Sequence, residues 1–324
     1  MKNFEEIIGL VNSSLESISW EREPLGLYAP IAYTLSLGGK RVRPALTLMA
    51  CNLYTDSLER AVSPALGIEI FHNFTLLHDD IMDKAAIRRG KPTVHVKWDD
   101  NTAILSGDVM QIAAYRLVSE APAPVLKAVL DLFSRTAVEI CEGQQYDMEF
   151  ESRGAVSAGE YIEMIRLKTA VLLGCALKTG ALIGGADEDD ATHLYAFGEN
   201  IGLAFQLMDD ILDVYGDEQT FGKKIGGDIL CNKKTFLLIH ALKLAEGEPA
   251  AELQSLLSGP VDSPEEKISK VTAIYDLLGV RAIAEEAMEI YYQKALHHLE
   301  KVNVDKERKN HLLQLAKSLM NRKE

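Results

Sequence analysis

Cysteine is scarce in this chain, four residues in 324 (Cys51, Cys141, Cys175 and Cys231), and no two of them form a Cys-x-x-Cys pair. This speaks against a zinc site or a disulfide framework and for reduced thiols buried as small hydrophobes, so a cytoplasmic location is expected. Basic residues are also in short supply: 34 Lys+Arg face 48 Asp+Glu, a net charge of −14. Such a surface repels nucleic-acid phosphates and anionic lipid, and no nucleic-acid partner is expected. No unbroken run of about 18 apolar residues is present to build a bilayer-crossing helix. The opening MKNFEEIIGL carries acids where a secretory signal would be apolar, so neither a stable membrane anchor nor export is expected. Asn-Gly and Asp-Gly hairpin signals are missing, no stretch alternates convincingly like a strand, and only 10 prolines interrupt the chain.

What remains is helical periodicity. Segments such as YIEMIRLKTAVLLGCALKTGALI, ENIGLAFQLMDDILDVYG and VRAIAEEAMEIYYQKALHHLEKV exceed strand length and repeat apolar residues at three and four spacings. The expectation is an all-α protein, one continuous helical domain over 1–324. Connections are expected at Ser119–Val125, Glu151–Gly159, Gly184–Asp190 and Gly247–Glu266, which are rich in Gly, Pro, Ala or acids.

One short motif recurs. FHNFTLLHDDIMD sets Asp79, Asp80 and Asp83 at the end of an apolar helix, and FQLMDDILD repeats the arrangement with Asp209, Asp210 and Asp213, 130 residues later. The first and last aspartate of each triplet fall one turn apart on the same helix face. Like charges at that spacing destabilise a helix, and desolvating them without a partner would cost several kcal/mol. They need a cation. An all-oxygen set suits a hard divalent ion, and Mg2+ typically takes one or two carboxylates while bridging to substrate phosphates. Asp187–Asp190 and Asp99–Asp100 differ, since each begins a helix, where acids favour the macrodipole.

In so acidic a chain, tight basic clusters also need a reason. Leu-Gly-Gly-Lys-Arg-Val-Arg-Pro at 37–44 packs three cations into four residues after a glycine turn. It is not a phosphate-binding P-loop, but Lys40 and Arg43 with exposed amides would suit a second diphosphate. Arg88, Arg89 and Lys91 follow the first aspartate triplet; Lys223, Lys224, Lys233 and Lys234 follow the second. His72 lies seven residues before Asp79, two turns along one face, and Gln206 three before Asp209. Lys168 with Thr169 interrupts an apolar helix, where a lysine must snorkel or meet an anion. The residues by themselves describe a magnesium-dependent enzyme that handles two diphosphates.

In order, the motifs are Gly-Gly-Lys-Arg-x-Arg-Pro, Leu-His-Asp-Asp-x-x-Asp, Arg-Arg-Gly-x-Pro-Thr, Gly-Gln-x-x-Asp, Lys-Thr, Gln-x-x-Asp-Asp-x-x-Asp and Gly-Lys-x-x-Gly-x-Asp. This combination resembles the trans-isoprenyl diphosphate synthases, or polyprenyl synthetases, over about residues 30–240. The resemblance implies a helical bundle around a central cavity, usually a homodimer, joining isopentenyl diphosphate head-to-tail to an allylic prenyl diphosphate. It implies Mg2+ held by Asp79, Asp83 and Asp209, supported by Asp80, Asp210 and Asp213. It further gives Arg88, Lys168, Lys223 and Lys233 to the allylic diphosphate, and Lys40, Arg43, His72 and Arg89 to isopentenyl diphosphate. Thr169 and Gln206 would face the forming allylic cation, and Gln144 and Asp147 would support the site. Two departures stand out: Asn232 where a glycine often precedes the lysine, and Phe236-Leu237 in place of Leu-Pro after Thr235.

Product length in such enzymes is set by bulky residues upstream of the first aspartate motif. Here these are Phe74, Thr75 and Phe71, five, four and eight residues before Asp79. An ideal helix turns Phe74 about 140° away from Asp79, so shared-face geometry alone does not make it a floor. The resemblance points to a geranylgeranyl type, with fifteen carbons next if Phe71 shortens the cavity. Alternatives are a terpene cyclase on a similar fold and a non-catalytic regulatory subunit. The first would have no need of the 37–44 basic motif, and the second would be expected to lose Asp79, Asp83 or Asp209, all of which are present.

Overall fold

Helices form nearly every element of the computed structural model, which describes residues 2–217, 225–259 and 263–320. In chain order they are α1 (Phe4–Glu16), α2 (Leu25–Ser36), α3 (Val42–Asn52) and α4 (Glu59–Met82), followed after a small hairpin by α5 (Val94–Lys97) and α6 (Asp100–Val118). Next come α7 (Ala123–Ser152), α8 (Ala158–Ile165), a π-helical segment (Arg166–Ala170), α9 (Val171–Gly184) and α10 (Glu188–Tyr215). The remainder is α11 (Gly227–Leu230), α12 (Phe236–Leu244), α13 (Gly247–Ser258), α14 (Pro264–Leu278), α15 (Val280–Lys301) and α16 (Lys306–Met320).

The chain divides into two compact units. The first comprises Met1–Ser134, Cys175–Tyr195 and Val302–His311. Its centre is α4, buried on nearly every side from Ala61 to Asp80, as expected of a helix that is apolar all round. α6 packs most extensively against it, with α1, α2 and α3 around the rest. Gly67 allows that approach, because a Cβ there would come within 2.8 Å of Ala114 O. Both acidic helix starts prove structural. Asp99 caps α6 by accepting from Thr102 N at 2.9 Å, and buried Asp190 accepts from Tyr54 Oη at 2.9 Å and Asn303 N at 2.7 Å.

The second unit comprises Arg135–Gly174, Ala196–Lys301 and Leu312–Glu324. Its core joins Tyr161 and Ile165 to Leu207 and Ile211, with Phe236, Leu237, Leu253, Ile274 and Tyr275. α12 packs against α8, α14 and α15, while α11 and α13 lie on α14.

Three expectations need correction. The two-residue strands β1 (Ile87–Arg88) and β2 (Lys91–Pro92) pair antiparallel across Arg89 and Gly90, whose φ angles of 53° and 73° make a left-handed turn. Arginine substitutes for the usual asparagine, at about 1–2 kcal/mol, so the hairpin gave no sequence signal. The supposed connection Gly247–Glu266 holds a helix instead, α13, which accommodates Pro249 in its first turn. Finally, Ala158–Gly184 is long and apolar enough to cross a membrane by composition, but 72% of its most apolar window is buried within the protein, as in a core helix.

Candidate active site

In the first unit the polar residues gather around the C-terminal half of α4. Asp80 is buried, and Arg88 grips it as a fork, Nε reaching both carboxylate oxygens at 2.8 Å and Nη2 reaching Oδ1 at 2.8 Å. Burial pushes the Asp80 carboxyl upward, opposed by Arg88. Asp79 is partly exposed, 3.7 Å from the same guanidinium, and exposed Asp83 is the C-cap of α4. Arg88 is presented by the hairpin, which is fastened by Tyr33 Oη donating to Pro92 O at 2.7 Å and Thr93 Oγ1 donating to Ala85 O at 2.7 Å.

The three cations of the 37–44 motif do different work. Arg41 takes a left-handed φ of 49° and turns inward, pairing with buried Glu69 at 2.7 Å and donating to Leu35 O at 2.9 Å. That pins the loop to α4 and leaves Lys40 exposed at its tip. Arg43 meets His72 Nε2 at 3.1 Å, and among the described residues its buried Nε has no partner. Burial lowers Arg43 to about 10, and burial plus the neighbouring arginines 43, 89, 88 and 41 hold His72 well below its ordinary 6.5. Arg89 donates to Gly38 O, and its own pKa is lowered by burial and by Arg41. A neutral imidazole among four guanidinium groups, with a buried N–H unspent, is suited to an anion of several charges.

Beneath the aspartates of α4 lies an aromatic stack. Phe74 and Phe71 are buried with ring centroids 5.4 Å apart, Phe71 meets Phe133 of α7 edge-on at 5.0 Å, and Phe133 meets Tyr115 of α6 at 4.9 Å. Thr75 is half-buried, its hydroxyl returned to His72 O at 2.8 Å. Phe133 and Tyr115 were not identified from the sequence, because an aromatic on an apolar helix face carries no mark beyond that of a core residue.

In the second unit the middle aspartate is again the buried one. Asp210 accepts from Tyr161 Oη at 2.6 Å and Phe236 N at 3.2 Å, and burial raises it to about 7. Asp213 is also buried and accepts from Asp228 N at 3.0 Å, so it holds the start of α11. Asp209, Gln206 and Thr169 are partly exposed.

Lys168 and Thr169 lie in the π-helical segment, whose altered pitch breaks the apolar periodicity there. Lys168 meets Asp147 at 2.7 Å, and Lys233 approaches the same oxygen at 4.0 Å. Burial would raise Asp147, but the two lysines outweigh it and keep the group below the usual carboxylate range. Gln144 is partly exposed, one turn before Asp147 on α7. Lys234 turns away to cap α7, donating to Phe150 O at 2.6 Å. Lys223 and Lys224 lie outside the described residues.

Among the described residues no three carboxylate, imidazole or thiol groups converge as a ready-made metal cage. Each unit by itself nonetheless offers oxygens that suit a hard divalent ion that keeps its waters and takes few carboxylates: Asp79 and Asp83 reach solvent in the first, and Asp209 does so in the second.

An all-α fold with two such carboxylate clusters, each accompanied by cations, defines a class of enzyme that works on diphosphates. A family model described as Polyprenyl synthetase matches residues 25–278. The geranylgeranyl pyrophosphate synthase of Geoglobus acetivorans is 40% identical over 316 residues, 97% of this chain and 96% of that protein. A crystal structure of a geranylgeranyl pyrophosphate synthase matches with a TM-score of 0.94 at 45% identity, covering 100% of both chains. That of the Corynebacterium glutamicum geranylgeranyl pyrophosphate synthase, complexed with calcium and isoprenyl diphosphate, matches with a TM-score of 0.83 at 28% identity, covering 98% of this chain and 96% of that one. The chain belongs to the polyprenyl synthetase family and is an isoprenyl diphosphate synthase.

Proposed function

We propose that this protein condenses isopentenyl diphosphate head-to-tail with allylic prenyl diphosphates, with Mg2+ as its ion, and releases geranylgeranyl diphosphate, farnesyl diphosphate being the shorter alternative. The observation that carries the metal assignment is a shared division of labour. In both clusters the middle aspartate is buried at 5–6% exposure and tied to protein donors, while the aspartate before it reaches solvent. Asp79, Asp83 and Asp209 are accordingly the ligands in this proposal, with Asp80, Asp210 and Asp213 fixing the helices and loops that bear them.

Magnesium, when bound, supplies charge to stabilise a departing diphosphate. Arg88, Lys168 and Lys233 bind that leaving group, and Asp147 holds the two lysines in place. Lys40, Arg43, His72 and Arg89 bind isopentenyl diphosphate; the polarised arrangement of Arg43 against neutral His72 supports this. Thr169 and Gln206 offer oxygens to the allylic carbon as positive charge develops. Phe74 and Phe71 close the space into which the chain grows. A homodimer is part of the proposal, supported by the apolar residues Leu105 and Ile112, 57% and 62% exposed on one face of α6.

Replacement of the ligands tests the metal assignment. Asp79→Ala and Asp209→Ala should each lower kcat by at least about 10²–10³-fold, the scale of losing one transition-state charge stabiliser. Far-UV circular dichroism should be unchanged. Turnover retained in either variant, or surviving exhaustive chelation of divalent ions, would contradict it.

A further inference from the structure

We propose that Lys267, which lies outside every motif of the site, is a positioning residue that sets Lys233 by bracing Asn232; this rests on the assignment of Lys233 to the allylic diphosphate. Lys267 is only 5% exposed and stands in the first turn of α14. A polar group taken so far from water needs a hydrogen-bond partner. Its Nζ donates to Asn232 Oδ1 at 2.7 Å. The other end of that amide is held too, Asn232 Nδ2 donating to Leu257 O at 3.1 Å.

Asn232 has a left-handed φ of 54°, a conformation glycine enters freely and asparagine enters at a cost. The clamp on the side chain therefore holds Asn232 in a conformation that glycine would need no brace to adopt. The next residue is Lys233. Its amide donates to Asp228 O at 2.9 Å, and its ammonium stands 4.0 Å from Asp147, which also holds Lys168. The same turn of α14 supports the start of the segment, since Ile268 packs where a Cβ on Gly226 would lie, 2.6 Å away. One helical turn therefore fixes both Gly226 and Asn232. Lys267 is too enclosed to meet a diphosphate itself.

The test is steady-state kinetics on Lys267→Met, which keeps the buried stem and removes the ammonium, combined with changes at 232 and 233. Lys267→Met is expected to raise the KM for the allylic diphosphate about tenfold, the equivalent of one lost charge-assisted hydrogen bond. The KM for isopentenyl diphosphate should not move. Asn232→Gly should restore most of the loss, because glycine needs no brace, and in a Lys233→Ala background Lys267→Met should add nothing. Asn232→Ala removes the acceptor from the other side and should reproduce the loss should Lys267→Met fail to fold. An unchanged allylic KM in both single variants, with Lys233→Ala impaired, would overturn the brace alone. A loss equally deep in the Asn232→Gly background would overturn it as well, marking Lys267 as a packing residue. Full activity in Lys233→Ala would overturn the Lys233 assignment and the brace with it.

Discussion

Burial, reinforced by the charges of arginines 43, 89, 88 and 41, makes the folded protein bind a proton at His72 far less readily than an unfolded chain does. Stability from this group is therefore complete above the unfolded value of 6.5 and is lost as pH falls below it. Urea unfolding of the parent and His72→Gln at pH 7.5 and pH 5.0 should show the parent losing more stability on acidification; equal losses would mean that the imidazole is not held neutral. His72 was singled out by helix spacing and Arg43 by an unusual basic cluster, and the structure brings the two together at 3.1 Å. The inward turn of Arg41 was not. The sequence presents three equivalent cations, and only the left-handed backbone and buried Glu69 separate the structural arginine from the other two. Tyr161 was illegible for a similar reason, because its hydroxyl bond to Asp210 sits on a ring that otherwise packs like any core aromatic.

Among the elements, the long helices were legible because their apolar periodicity is strong, whereas departures from regular geometry were not. The π-helical turn is the clearest case. Lys168 inside an apolar stretch had to snorkel or meet an anion, and the structure supplies Asp147, but nothing in the residue order announces a change of helical pitch. Gly143 makes room for it: a Cβ there would lie 2.3 Å from Lys168 N, against backbone that cannot swing aside. Gly143→Ala should cost about 1–3 kcal/mol by overpacking. It should also raise the allylic KM, since Lys168 must move; a denaturation curve and kinetics on one preparation would check both. The aromatic stack crosses three helices and makes a second prediction. Phe74→Ala should lengthen the product. Phe133→Leu, a smaller change behind Phe71, should give a mixture of the parental and longer chains, read by chromatography. An unchanged product from Phe74→Ala would remove it as the floor, and an unchanged product from Phe133→Leu would show that Phe71 stands without support.

For the molecule as a whole, a net charge of −14 coexists with an enzyme whose substrates are diphosphates. In the proposed reading, cations concentrated at Lys40 and Arg43, at 88–89 and at Lys233 make that possible, as does pairing acids with a divalent ion. This distribution, with the duplicated aspartate motif, is why an enzyme that handles diphosphates was legible in the residues alone, whereas the condensation itself came from the resemblance to the polyprenyl synthetases. The two compact units were not legible, because all but one of the dividing points, those at 134–135, 174–175, 195–196 and 311–312, fall within α7, α9, α10 and α16, where no loop or change of composition marks them. The most direct measurement of the central claim is turnover of the purified protein with Mg2+, isopentenyl diphosphate and each short allylic diphosphate in turn, with products sized by chromatography. A single linear diphosphate of twenty carbons is the predicted result. A cyclic hydrocarbon, or no product from any primer, would contradict it.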